Sequence, residues 1–148
     1  DKMDFKEQLQ KWHEENEHRK IIEAIEAVLP SERDFELTSL FGRALNNEGR
    51  HNDALAVLRS VEETGRNDPL WNFRIGYSYF YSPHSVKNVV SDYEAALSFF
   101  KEAVRLGDRE ADTQELIQYC ELALQNLRAN PEAVYEYADE RLSTRCLK

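Results

Sequence analysis

Glycine and proline are scarce in this chain, which has five glycines and four prolines among 148 residues. Hairpin and sandwich turns commonly recruit these two residues, so their scarcity disfavours a turn-rich β fold and favours helices. Hydrophobic residues make up 41% and charged residues 32% of the chain, a balance that excludes a disordered or fibrous protein. A chain of this length can bury the core of one domain, and we expect a single domain over residues 1–148.

Basic residues are also few, with 19 against 28 acidic residues and a formal net charge of −9. A surface that binds nucleic acid needs a dense face of lysine and arginine, so we expect no nucleic-acid partner. No apolar run approaches the roughly 20 residues that span a bilayer, and the first residues lack the apolar core of a signal peptide. We therefore expect no membrane association and a cytoplasmic location.

The chemical motifs of enzymes are missing as well. The two cysteines, Cys120 and Cys146, form no metal-binding or redox motif. There is no phosphate-binding glycine loop, no nucleophile elbow and no cysteine–histidine spacing typical of catalysis. We predict a protein that is not an enzyme and needs no cofactor. An enzyme with an unfamiliar site is the alternative.

The segment from His13 to His18 is superficially similar to the HExxH zinc helix. In that motif the two histidines are four residues apart, which puts both on one face of a helix. Here they are five apart, about 500° of helical rotation, so on a continuous helix they point about 140° from each other. A solvated acidic turn is the better interpretation, and we predict no metal site.

Two motifs recur along the chain. The segment Phe41-Gly42-x-x-Leu45 recurs 34 residues later as Ile75-Gly76-x-x-Tyr79. The segment Ala54-x-x-x-Leu58-x-x-Val61 recurs 42 residues later as Ala96-x-x-x-Phe100-x-x-Ala103. The second spacing exceeds the first by eight, so eight extra residues lie between Tyr79 and Ala96. A weaker copy lies 33 residues upstream, with Leu9 at the position of the glycine and with Trp12, Ile21, Ile25 and Val28 at the positions of Leu45, Ala54, Leu58 and Val61.

Over residues 5–107 these motifs resemble the signature of the tetratricopeptide repeat family. The resemblance implies an all-α fold of the α-α superhelix type, a right-handed solenoid of antiparallel helix hairpins. It implies repeats at residues 4–33, 34–67 and 68–108, the last with the eight-residue insertion, and capping helices over residues 109–148. Its glycine lets the two helices of a hairpin approach closely, and Gly49 lies in a short turn between them.

Helical periodicity and its breakers predict helices at residues 4–16, 18–29, 34–48, 51–64, 69–82, 86–106, 109–128 and 131–143. The segment from Ser82 to Ser85 contains Pro83 and is typical of a turn. After it, the inserted residues should lengthen the second helix of the hairpin by about two turns. That extension would expose Val86, Val89 and Val90 unless the C-terminal helix, with Val134, Tyr135, Tyr137 and Leu142, or a partner chain covers them.

In the family, the first helix of each repeat lines a concave groove that holds peptides. The resemblance therefore implies a protein- or peptide-binding scaffold. Its candidate partner-binding residues are Leu40, Arg43, Asn47, Phe73, Arg74, Tyr77, Tyr81 and Tyr119. One alternative is a self-association module, a homodimer that leaves no free groove. Another is the N-terminal repeat part of a longer bacterial-type protein.

One subgroup of the family clamps the C-terminal carboxylate of heat-shock chaperones with a set of lysine, asparagine and arginine side chains. The matching positions here hold Lys6, Gln10, Leu40, Leu70 and Arg74. Two of these positions are leucines, which cannot donate hydrogen bonds to a buried anion. We therefore expect that chaperone tails do not bind.

Overall fold

The computed structural model describes residues 3–139, and within that span the chain forms nine α-helices and no β-strand. The α-helices are α1 (Phe5–Glu14), α2 (His18–Glu26), α3 (Phe35–Asn47), α4 (His51–Arg59), α5 (Glu62–Gly65), α6 (Pro69–Tyr81), α7 (Val89–Arg105), α8 (Ala111–Ala129) and α9 (Val134–Asp139). Short 3-10 turns at Pro30–Glu32 and Pro131–Ala133 precede α3 and α9. The prediction of an all-α fold is confirmed. Residues 140–143 of the last predicted helix, and Leu142 and Cys146, lie outside the described residues.

Three aspartates cap the first helices of the predicted units. Asp4, Asp34 and Asp68 each accept a hydrogen bond from the backbone N–H three residues further along the chain. This bond satisfies one of the N–H groups that the first turn of a helix leaves unpaired. Pro69 then occupies the first turn of α6, where the absence of an N–H costs nothing. These caps fix where α1, α3 and α6 begin.

The turns between α1 and α2 and between α3 and α4 have the same backbone conformation. The backbone angles of residues 15–17 match those of residues 48–50 one by one. At the first position, φ and ψ are −91° and 3° at Glu15 and −88° and 2° at Glu48. The middle residue is left-handed in both turns, with φ of 60° at Asn16 and 82° at Gly49. Glycine and asparagine are the residues that tolerate this conformation best. The two turns are 33 residues apart, the spacing of the first two sequence copies.

Close glycine contacts join the helices of the two later hairpins. A Cβ atom at Gly42 would lie 2.5 Å from Leu58 Cδ2, and one at Gly76 would lie 2.8 Å from Phe100 Cδ1. Real Cβ atoms do not come so close to a neighbour, so a larger residue would push α4 away from α3 or α7 away from α6. The close approach that the two glycines predict is confirmed.

The core is built from three clusters of buried side chains. The first joins α1, α2 and α3 around Leu9, Ile21 and Leu45, and a smaller one joins Leu58, Trp71 and Ile75. The largest joins α6, α7 and α8 to the C-terminal segment, and its members include Phe73, Tyr77, Phe80, Val89, Tyr93, Phe100, Cys120 and Ala138. Helix α6 contributes to two of the three clusters and is therefore buried on most of its surface.

The eight inserted residues are divided between a loop and a helix. Residues 48–50 connect α3 to α4, whereas residues 82–88 connect α6 to α7. The second connection is therefore four residues longer than the first. Helix α7 begins seven residues before Ala96, and α4 begins three residues before Ala54, again a difference of four. The expected extension of about two turns is therefore wrong by one turn. The other four residues form a loop in which His84 bonds both to α6 and to α7.

The three inserted valines differ in exposure. Val89 is fully buried, whereas Val86 is 43% and Val90 39% exposed. Helix α9 packs against α7, where the ring of Tyr137 lies 5.8 Å from that of Tyr93. The C-terminal segment thus belongs to the same core cluster as Val89, while the other two valines remain at the surface.

Candidate functional site

A row of buried hydrogen bonds joins α3 to α6. Arg74 Nη1 donates to Ser39 Oγ over 2.7 Å, and Asn46 Nδ2 donates to the Arg74 carbonyl over 3.0 Å. Ser78 lies one turn after Arg74 on α6, and its Oγ donates to Asn46 Oδ1 over 2.9 Å. The contacts advance in the same direction along both helices, so α3 and α6 lie side by side and parallel. Polar bonds in a dry interior have strict geometry, and they fix this register.

His51, the first residue of α4, is part of the same network. Its Nδ1 lies 2.9 Å from Asn46 Oδ1. Because the Asn46 amide nitrogen donates to the Arg74 carbonyl, its oxygen is the acceptor, and the His51 Nδ1–H must donate. Burial lowers the pKa of His51 to about 4, so the ring is neutral near pH 7. The rings of Tyr77 and Tyr81 each lie 5.9 Å from the imidazole ring.

The eight predicted partner-binding residues form two groups by exposure. Four are buried, with exposed fractions of 6% for Arg43, 6% for Arg74, 0% for Phe73 and 2% for Tyr77. Four are half-buried, namely Leu40, Asn47, Tyr81 and Tyr119. A half-buried side chain presents one side to a partner and is held in place on the other.

Phe73 and Tyr77 are core residues in the structure, which corrects their assignment to an accessible groove. The ring of Phe73 lies 5.6 Å from that of Phe100 and 6.0 Å from that of Tyr77. Both residues belong to the largest core cluster. The reason is that α6 packs against α3, α4, α5 and α7, so little of its surface stays open.

Tyr81 and Tyr119 come together at the junction of α6 and α8. The ring of Phe80 lies 4.9 Å from that of Tyr81 and 5.2 Å from that of Tyr119, edge to face in both cases. Leu40 lies elsewhere, against the cluster formed by α1, α2 and α3. The structure therefore brings Tyr81 and Tyr119 into one aromatic group and places Leu40 at the other end of the predicted surface.

Arg43 and Arg74 belong to a cluster of cationic and histidine side chains between α1, α2, α3 and α6. Arg43 Nη1 donates to Gln10 Oε1 over 3.4 Å. Burial, with a smaller contribution from the charge of Arg43, lowers the pKa of Arg74 to about 9. Burial and, to a smaller extent, the charges of Arg43, His18 and Arg74 together lower the pKa of His13 to about 4. We call His13, His18, Arg43 and Arg74 the cationic cluster.

His13 and His18 do not point away from each other, contrary to the expectation from a continuous helix. Their ring centroids are 5.7 Å apart. The reason is that α1 ends at Glu14 and α2 begins at His18, so the chain reverses between them. The 33-residue spacing of the copies could have predicted this proximity, because it aligns His13 and His18 with Asn46 and His51, the buried pair of the next hairpin.

Three other features bear on the kind of site. No group of three or more histidine, cysteine, aspartate or glutamate side chains that could hold a metal occurs among the described side chains of residues 3–138. Over the same described span, no helix combines the length and the apolar character needed to cross a bilayer.

A surface cleft of about 420 Å³ lies beside Trp71 and Phe99, but side chains of both charges line it, including Glu62, Arg66, Lys101, Glu102 and Arg105.

Comparison with protein-family models finds no matching family, and no curated protein or solved structure matches the chain. The tetratricopeptide resemblance therefore depends on the residues quoted above and stays a prediction.

Proposed function

We propose that this protein is a protein- or peptide-binding scaffold of the tetratricopeptide type. Its binding surface is the side of α3, α6 and α8 that carries Leu40, Asn47, Tyr81 and Tyr119, the four half-buried residues of the predicted set, which we call the α3–α6–α8 face. The observation that carries the proposal is the half-buried pair Tyr81 and Tyr119, packed on Phe80 at the junction of two helices.

The composition of this face supports a binding role. Tyrosine is enriched at the energetic centres of protein interfaces, because it buries a large area and also offers a polar group. The rings of Tyr81 and Tyr119 are already held by neighbouring rings, so a partner would lose little additional side-chain entropy in covering them.

The repeated local geometry supports the tetratricopeptide type. The turns at residues 15–17 and 48–50 have the same conformation, and the capping aspartates Asp34 and Asp68 are 34 residues apart. The glycine contacts of Gly42 and Gly76 also occur at this spacing. A helix hairpin repeated at this period stacks into an extended surface, which is how repeat proteins bind their partners.

The test is binding of the full chain to an array of unrelated peptides, followed by affinity measurement on the best peptides. We expect Tyr81→Ala and Tyr119→Ala each to weaken binding about tenfold or more, as for interface anchors. The matched control is Tyr135→Ala, because Tyr135 is 64% exposed and lies on α9. The proposal fails if no peptide binds, if the control weakens binding equally, or if light scattering shows a tight dimer that the two anchor substitutions dissociate.

A further inference from the structure

We propose that the hairpin of α1 and α2 is an acid-sensitive element, docked on α3 near pH 7 and released from it near pH 5. The groups that respond to acid are His13 and His18, the two histidines of the cationic cluster. The proposal does not depend on what the α3–α6–α8 face binds. It depends on where the two rings lie, on the charges around them and on how the hairpin is attached to the rest of the fold.

Within the described part of the chain, the hairpin packs mainly on one helix, α3. Ile21 and Ile25 of α2 are fully buried, in a cluster that also contains Leu37 and Phe41 of α3. None of the side chains of this cluster belongs to α6, α7, α8 or α9. A helix hairpin that is attached through one interface can open while the other units of a stack stay folded. The hairpin can therefore leave α3 without disrupting the larger core.

His13 and His18 lie where the hairpin meets the rest of the fold. His13 is half-buried near the end of α1, and His18 is buried at the start of α2. Nδ1 of each ring is buried and forms no hydrogen bond with another described residue. A protonated ring has two N–H donors, so protonation in the docked hairpin would bury a donor that no described side chain or carbonyl accepts. Both rings are therefore better accommodated in the neutral form.

Positive charges from α3 and α6 also disfavour a proton on His13. Burial and, to a smaller extent, the charges of Arg43, His18 and Arg74 lower the pKa of His13 from 6.5 to about 4. Arg74 is itself buried, and its Nη1 donates to Ser39 Oγ, so this charge is held in place. The docked hairpin thus keeps His13 neutral at pH 7 and at pH 5.

His18 responds in the same direction, although two carboxylates lie near it. Burial is the main cause that lowers its pKa, and Arg43 adds to this effect, whereas Glu48 and Glu17 of the two neighbouring turns oppose it. Glu48 also forms an ion pair with Arg19 of α2, with 2.7 Å between Oε1 and Nε. With both carboxylates in place, the pKa of His18 is still lowered. Protonation of either ring therefore weakens docking.

Acid shifts the hairpin towards the released state. Once the hairpin has left α3, both rings are in water and their pKa returns to about 6.5. Between this value and about pH 4 the released state binds more protons than the docked state, so docking weakens as the pH falls. For His13 alone, the equilibrium constant for release is about twentyfold larger at pH 5 than at pH 7. His18 increases this factor.

The ion pair that joins α1 to the start of α3 does not explain a loss of docking in this pH range. Lys6 Nζ lies 3.0 Å from Asp34 Oδ2. The backbone N–H of Leu37 and the ammonium group of Lys6 lower the pKa of Asp34, so its carboxylate stays charged at pH 5. Exposed pairs of this kind also contribute little to stability.

Release would uncover the apolar side of α3. Leu37 and Phe41 are buried in the docked state and would then be in contact with water. Leu40 is half-buried against the same cluster, so it would lose part of its support. The α3 end of the α3–α6–α8 face therefore changes with pH, whereas the end that carries Tyr81 and Tyr119 does not.

Amide hydrogen exchange of the full chain tests the proposal, with protection factors corrected for the intrinsic effect of pH on exchange. We expect the amides of α2 to lose protection about twentyfold or more between pH 7 and pH 5, through an opening that depends only weakly on urea. The amides of α8 should stay better protected at both pH values, because α8 belongs to the larger core. Equal protection of α2 and α8 at pH 5 would overturn the proposal, since the hairpin would then open only when the whole protein unfolds.

Substitutions identify the responsible groups. In the double variant His13→Gln and His18→Gln, the loss of α2 protection should shrink to about threefold or less. Each single variant should show a smaller loss than the wild type, which keeps the test valid if the double variant does not fold. The matched control is His51→Gln, because His51 is the counterpart of His18 in the next hairpin and is buried against Tyr77 of α6. Full loss of protection in the His13 and His18 variants, or no loss in the control, would contradict the proposal.

Discussion

At the scale of single residues, three glycines lie where a neighbouring side chain leaves no room for a Cβ atom. Gly42 and Gly76 face Leu58 and Phe100, as the recurring motif predicts. Gly65 lies outside the motifs, yet a Cβ there would lie 2.4 Å from Trp71 Cδ2. Gly49 is different, because its left-handed φ of 82° and not its surroundings calls for glycine.

We expect Gly42→Leu and Gly76→Leu each to reduce the free energy of unfolding by about 2–4 kcal/mol, because a large side chain must enter a filled contact. Urea unfolding of the purified variants measures the change. Gly49→Asn is the matched control and should change stability by less than about 1 kcal/mol, since Asn16 holds the same conformation in the preceding turn. Equal stability of wild type and both leucine variants would contradict the helix contacts.

A second residue-scale prediction concerns His51 and pH. Burial lowers its folded-state pKa from 6.5 to about 4, so between these values the unfolded chain binds one more proton than the folded protein. Stability therefore falls as the pH drops from 6.5 towards 4, by about 3 kcal/mol for this residue. Chemical unfolding at several pH values should show this slope, reduced in His51→Gln. An unchanged slope between pH 6.5 and 5 in the variant would contradict a neutral buried ring.

At the scale of elements, the loop of residues 82–88 shows how an insertion is fixed. His84 Nδ1 lies 3.0 Å from Asp92 Oδ2, and Nε2 lies 3.1 Å from the Phe80 carbonyl. The ring thereby joins the end of α6 to the first turn of α7 and packs 4.9 Å from the ring of Tyr93. A loop held at both ends can be long without leaving the helices free to separate.

We expect His84→Ala to reduce the free energy of unfolding by about 2 kcal/mol, because it leaves a buried carbonyl and a carboxylate without their donor. Amide hydrogen exchange should accelerate at residues 80–92 more than in α3. Lys87→Ala is the control, since Lys87 is an exposed residue of the same loop. If exchange in this segment is equally slow in both variants, the ring does not hold the loop.

At the scale of the whole molecule, the C-terminal segment completes the core. Ala133 and Ala138 are buried in the cluster that includes Val89, Tyr93 and Phe100. Without them, the largest core of the protein would have one side in contact with water. The cluster runs from α6 to α9, so the stability of the third hairpin depends on residues far from it in sequence.

Deleting residues 130–148 should lower the melting temperature and increase the binding of a hydrophobic dye, because it uncovers this cluster. A chain that ends at residue 139 keeps α9 and is the control. If the chain lacking residues 130–148 has the stability and dye binding of the control, α9 does not cover the core.

The sequence alone determined the features that depend on local chemistry. Scarce glycine and proline with helical periodicity predicted an all-α fold, and Asp34, Asp68 and Pro69 marked helix starts because capping involves residues within one turn. The ends of the helices were predicted less accurately than their starts. The predicted helix at 51–64 is divided into α4 and α5 around Ser60 and Val61.

Only the tertiary structure decided which side chains of these helices are accessible. The phase of a helix gives the direction of each side chain but not which other helices surround it, and α6 packs against α3, α4, α5 and α7. Phe73 and Tyr77 are therefore buried, although their spacing matched that of Tyr81. His13 and His18 came together because the chain reverses between them, and the cationic cluster exists only because α1, α2, α3 and α6 meet there.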